Sequence, residues 1–226
     1  MSRMTSPVLV FLVALVFTLS GLACKSQPKG APAQSHASAQ VSTATSTAST
    51  ILVRGKGAVP ARLERRGDGW LLSADDLESI ACRPHAPNKD RCRTVAGADV
   101  AEMKTHFEEG NAREGSIKMI APDGRLLWKV HFSPEKIKVS DNEENREAWI
   151  LSLKHTDRIQ VVDPSERAAG TVRRESDRTT VQNPDGDELF TVEGAGSLSA
   201  AALLLVPALP SRDRLMLMAE LITRGL

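Results

Sequence analysis

Tyrosine is absent from this chain of 226 residues, and five Phe with three Trp make up its whole aromatic content, 4%. So few rings count against the stacking platforms that hold single-stranded nucleic acid. An excess of one charge is lacking too: 29 Lys+Arg face 28 Asp+Glu, a formal net charge of +1. That balance supplies no general basic field for nucleic acid or anionic lipid, although it is compatible with a local patch. The most apolar stretches, residues 8–19 and 198–209, are each twelve residues long, too short to span a bilayer as a helix. Phosphate loops, Gly-x-Ser-x-Gly elbows and His-Glu-x-x-His motifs do not occur, which removes three common signatures of catalysis. What is present is an ordinary hydrophobic share of 41%, enough for a core.

The first apolar stretch, Val8 to Leu19, follows a start whose only basic residue is Arg3 and reads as the hydrophobic segment of a signal peptide. Leu19-Ser20-Gly21-Leu22-Ala23-Cys24 comes next. It resembles the lipobox of bacterial lipoproteins, in which a cysteine after small residues is acylated and becomes the first residue of the mature chain. Gly21 and Leu22 depart from the usual order, in which Leu stands three residues before the cysteine and a small residue two before. Gly21-x-Ala23 also fits the cut of a plain secretory signal. The resemblance implies a palmitate-type lipid on Cys24, anchorage in a bacterial cell envelope with the outer membrane preferred, and a domain in the periplasm or at the cell surface.

Residues 25–50 are Ser, Thr, Ala, Gln and Pro with few others, a composition that cannot bury enough apolar surface to fold. A coil of that length spans on the order of 25 to 30 Å and suits a tether. Setting Cys24 aside leaves Cys82 and Cys92. An even remainder in an oxidising compartment reads as a disulfide closing a short loop around Pro84 and Pro87. The rival reading, a metal site of Cys82, His85 and Cys92, lacks a fourth ligand nearby.

The organisation that follows is a signal at 1–23, a lipidated cysteine and tether at 24–50, and one mostly β domain at 51–226. Within the domain, residues 51–115 hold strands and two helices, 116–194 hold four hairpins, and 197–226 hold C-terminal helices. Ile51 to Gly55, Ala61 to Arg65 and Trp70 to Ser73 read as strands, with Arg66-Gly67-Asp68 as the turn between the last two. The first helix is expected over Ala74 to Ala81, burying Leu77 and Ile80 behind Ser73. The second is expected from Asp99 to Gly110, where Asp99-x-x-Glu102 resembles a capping box and Val100, Met103 and Phe107 share a face.

Beyond Gly115 the sequence repeats. Windows from Ile117, Ile159 and Thr179 read IKMIAPDGRLLWKV, IQVVDPSERAAGTV and TTVQNPDGDELFTV. Pro122, Pro164 and Pro184 share a column, as do Val130, Val172 and Val192. A fourth window, from Ile137, aligns when its turn is one residue longer. Alternating strands around Pro/Asp/Gly turns predict four consecutive hairpins, with Trp128, Trp149, Gly170 or Phe190 on the returning strand. A meander of this length has to close or cover its edges.

Leu198 to Leu209 is apolar on every side and is expected to be buried all round, with Leu203, Leu204, Leu205 and Val206 at its centre. A last helix starts near Ser211 and carries a stripe of Leu215, Met218 and Ile222. Serial turns followed by such a helix resemble the tubby-like C-terminal fold shared by tubby proteins and phospholipid scramblases, over about Gly115 to Val206. The resemblance implies a closed barrel of about a dozen strands around a hydrophobic helix, and an association with membrane lipids. The fold expected is therefore mainly β, a hairpin meander closing into a barrel, with a buried C-terminal helix and two or three covering helices.

No residue set carries a catalytic or metal assignment, and no cofactor is implied. His36 lies in the tether and His106 on the second expected helix. His131 and His155 could serve an enzyme only if the fold brought them to a carboxylate such as Asp163. Asp141-Asn142-Glu143-Glu144 and Asp185-Gly186-Asp187-Glu188 read as turns, with weak calcium binding the alternative. Arg167, Arg173, Arg174 and Arg178 are balanced by neighbouring acids and read as a solvated face. The functional expectation is a non-enzymatic envelope lipoprotein, held to a membrane by its lipid, with a β domain that binds a protein or lipid partner and no nucleic acid. The alternatives are a lipid-handling protein of tubby or scramblase type and an enzyme with a dispersed site.

Overall fold

The computed structural model describes residues 49–226 except Gly57 and Ala195. The signal peptide, Cys24, His36 and nearly all of the tether lie outside the described residues. From Thr50 to Glu193 the chain is a continuous antiparallel meander. Its first seven strands are β1 (Thr50–Gly55), β2 (Ala58–Arg66), β3 (Gly69–Ala74), β4 (Leu77–Ala86), β5 (Lys89–Thr94), β6 (Asp99–Glu108) and β7 (Asn111–Ile120). The rest are β8 (Leu126–Ser133), β9 (Lys136–Ser140), β10 (Trp149–His155), β11 (Arg158–Val162), β12 (Ala168–Glu175), β13 (Arg178–Gln182) and β14 (Glu188–Glu193). Each pairs with its neighbours in sequence, and β1 pairs with β14 through Leu52↔Glu193 and Val53↔Val192, so the sheet closes into a fourteen-strand barrel. Closure leaves no free edge.

The repeat is visible in the pairing. Ile117 faces Val130, Ile159 faces Val172 and Thr179 faces Val192 across their hairpins, all six buried. In the fourth hairpin Ile137 faces Leu151, one position beyond the spacing of the others. Three turns share one construction. Ala121, Asp163 and Asn183 each donate a backbone N–H to the carbonyl four residues on, proline follows, and Gly124, Glu166 and Gly186 take positive φ. Proline fits the first corner of such a turn, and the left-handed residue restores the strand twist. Asp163 and Asn183 add side-chain bonds to the turn's own amides.

Both early helices expected from sequence are strands. Leu77 to Ala81 opens β4, and Asp99 to Glu108 is β6. In β6 the buried side is Ala101, Met103 and Thr105 at period two, and Met103 and Phe107 had fitted a helical spacing equally well. Asp99 bonds Arg93 Nε at 2.7 Å, and Glu102 approaches His85 and Lys104. Neither acid caps a helix. The tertiary reason is closure: β5 and β7 would each present an unpaired edge without β6 between them.

Among the described residues the helices are C-terminal and internal. α1 (Leu198–Ala202) is capped by Ser197, whose Oγ accepts from the Ala200 N–H at 3.1 Å, and runs into a 3-10 turn, Leu203–Leu205. α2 (Ser211–Thr223) returns antiparallel to it. α1 packs on β11, β12 and β13, while α2 is bonded from β3, β6 and β8. The two form a helical hairpin that fills the barrel. Leu203 and Val206 are 0% exposed, and Leu204 and Leu205 are buried. The expected stripe on α2 is instead an unbroken buried run, Leu215 to Leu221. None of these helices is long and apolar enough to cross a membrane.

Gly170 shows how tightly wall and filler fit. It takes φ +148°, and a Cβ there would clash with the Gln182 carbonyl oxygen and lie 3.0 Å from a Leu205 methyl. Only glycine lets that leucine approach the strand.

Candidate functional site at the mouth of the barrel

The two rims of the barrel differ. One is made of two-residue turns, 67–68, 87–88, 109–110, 134–135, 156–157 and 176–177. The other carries the three five-residue proline turns and the longest loop, 141–148. The chain enters the wall at the tight rim, where Arg65 donates its N–H to the Ser49 carbonyl. α2 also ends there.

At the tight rim a buried polar cluster holds α2. Thr105 Oγ1 donates to Glu220 at 2.6 Å, Arg224 Nε donates to Glu220 at 2.8 Å, and Arg224 lies 3.8 Å from Asp90. Trp70 Nε1 donates to Thr223 Oγ1 at 2.7 Å. Burial, with Glu220 beside it, pushes the Asp90 carboxyl from 3.8 up to about 6, although Arg224 and Arg65 oppose the rise. These groups bond to one another and fix the helix end. At the helix start Trp128 Nε1 donates to Asp213 at 3.1 Å.

At the opposite rim the filler stops short of the wall and leaves a cavity of about 370 Å3. Val53, Ala61, Ala74 and Phe190 of the wall, with Leu204 and Leu215 of the helical hairpin, give it apolar sides. Its polar members are Arg214, Ser211 and Asp76. Arg214 spends one terminal nitrogen on the Val206 and Leu209 carbonyls, at 3.2 and 2.8 Å, which fixes the turn between the helices. Its Nε is sealed from solvent without a partner. Desolvation holds its guanidinium below the ordinary arginine value. A mouth that combines apolar side chains with polar groups and one constrained cation has the makeup of a small-molecule site.

A second hollow, about 500 Å3, lies on the outer wall over β3, β4 and β5. Its floor is Leu71 and Ala81, and Arg83 and Arg91 stand on it as direct cross-strand partners. Like charges placed so oppose pairing.

The residues singled out from sequence distribute as follows. Cys82 and Cys92 are direct partners on β4 and β5, buried inside the barrel and joined as a disulfide. His85 takes the outer side, against Glu102 at 3.4 Å, so the three never face a common point. His131 is in the row of Lys138 and Ile150, and His155 lies five residues further along β10, about 16 Å at 3.3 Å per residue. Asp163 is at the other rim, bonded to Ser165, Arg167 and its own turn. The fold does not bring these three together. Glu143 pairs with Lys118 at 2.8 Å, and Asp187 bonds Asn183 at 3.0 Å. Among the described residues no group of three His, Cys, Asp or Glu is arranged to hold a metal ion.

Sequence reasoning passed over Arg214, Asp90 and Glu220. Arg214 and Glu220 did carry a signal, being the charges that flank the apolar run Leu215 to Ala219. Comparison with models of known families, with curated proteins and with solved structures finds no match.

Proposed function

We propose that this protein is a non-enzymatic lipoprotein of a bacterial cell envelope, anchored by an acyl group on Cys24, with a barrel that serves as a binding domain. The observation that supports a binding domain is the opposition of the rims: the described chain enters the wall at Ser49 on the tight-turn rim, and the open pocket lies at the other. The Cys82–Cys92 disulfide supports an oxidising compartment outside the cytoplasm.

A tubby-like reading draws support from a closed wall around an apolar C-terminal segment. Fourteen strands against about a dozen, and two helices inside against one, are departures. Lipid handling through the barrel interior is disfavoured by its filling, since Leu203 to Val206 is buried there.

The test is fractionation with mass spectrometry. Wild-type protein should partition with membranes and show an acylated N-terminal Cys24, and Cys24→Ala should be released. An unmodified Cys24 in the soluble fraction would sink the anchor.

A further inference from the structure

We infer that the mouth pocket takes a single-chain amphipathic carboxylate, with the hydrocarbon between wall and filler and the carboxylate on Arg214. The inference rests on the binding-domain reading and names the ligand class of that same pocket.

Three observations converge. The cavity of about 370 Å3 has room for on the order of a dozen water-sized groups, enough for a chain of about ten heavy atoms with its head group but not for a two-chain phospholipid. Val53, Ala61, Phe190, Leu204 and Leu215 give the hydrocarbon an apolar side to lie against, beside the polar Arg214, Ser211 and Asp76.

The second observation is the cation. Arg214 is held in place by the Val206 and Leu209 carbonyls and forms no ion pair among the described residues. Its nearest acidic neighbour in sequence, Asp213, is turned to Trp128 and Arg212 instead. One terminal nitrogen of the guanidinium serves both carbonyls and Nε is sealed from solvent, so the other terminal nitrogen, which has no partner among the described residues, is the donor left for a carboxylate.

The third is cost. A half-buried arginine is destabilising where it lacks an anion, and the same burial lowers its guanidinium pKa. A leucine could fill the same place between Asp213 and Leu215 without it. A bound carboxylate supplies the missing counter-charge in a site where water is partly excluded and the pair is strong. Asp76, also in the lining, repels an anion in proportion to its charge and so disfavours a doubly charged ligand more than a single carboxylate.

The experiment is calorimetric titration of the purified Cys24→Ala chain, in detergent-free buffer at neutral pH, with decanoate and with decanol. Decanoate should bind at least tenfold tighter than decanol. Methyl resonances of Leu77, Leu204 and Leu215 should shift on titration. Arg214→Gln should bring decanoate down to the affinity of decanol, and Ala74→Leu, which narrows the cavity, should weaken both at least tenfold. Equal affinities for the two probes, no decanoate binding at millimolar concentration, or shifts confined to other residues would each overturn the inference. Should Arg214→Gln fail to fold, the probe comparison and methyl shifts on the parent chain still decide. Lipidation of Cys24 is read separately by mass, so failure here leaves the anchor standing.

Discussion

Single residues carry unequal weight in this barrel, and Gly170 and Asp90 show two ways of doing so. At Gly170 the contact with Gln182 and Leu205 admits no side chain. Gly170→Ala should lower stability by about 3 kcal/mol through strain and overpacking together, read from urea unfolding midpoints. Asp90 acts through its proton. Its folded pKa lies above its unfolded one, so between about pH 4 and 6 the folded chain binds more protons, and stability falls as pH rises through that window. Asp90→Asn should therefore raise the melting temperature at pH 8, and the gain should disappear near pH 4. An unchanged difference between the two pH values would contradict this. Neither residue was marked for this from sequence. Gly170 was seen in a repeat column with Trp128 and Phe190, but its reason is Leu205, thirty-five residues on, and the buried setting of Asp90 depends on a helix more than a hundred residues away.

Elements were legible where a repeat reinforced a pattern. The Pro122, Pro164 and Pro184 turns fix hairpins of known register, and the structure pairs Ile117, Ile159 and Thr179 with the valines that shared their column. The stretch from Asp75 to Phe107 had no such reinforcement, and nine or ten residues containing Met103 and Phe107 satisfy either period. Closure decided between them, a property of all fourteen strands that no local window contains. The β4–β5 hairpin adds a staple, since Cys82 and Cys92 already face each other. Replacing both with alanine should remove roughly 2 to 3 kcal/mol and abolish the effect of reductant on melting. Free-thiol titration of unreduced protein that found both reactive would refute the bridge.

For the whole molecule the decisive relation is between wall and filler. Leu203, at 0% exposure, is surrounded by wall on one side and α2 on the other. Leu203→Asp should abolish cooperative folding, because an unpaired carboxylate there costs several kcal/mol, and a variant with the wild-type circular dichroism melt would disprove the filled-barrel account. The mouth pocket was not legible in sequence for the same reason: it is the space left where the 3-10 turn and α2 fail to meet five strands, and Ala61, Phe190 and Arg214 have no common pattern along the chain.

The filler follows the wall in the chain, and Leu52 must find Glu193 before the cylinder is complete. A polypeptide emerging from a ribosome or a translocation pore in chain order exposes the inner faces of its strands with nothing yet made to cover them. Contacts so distant in sequence form slowly. The order of the elements thus delays completion of the barrel until the last strand and the helices have been made. Until then any strands that do pair leave open edges, the kind of surface that holding chaperones shield.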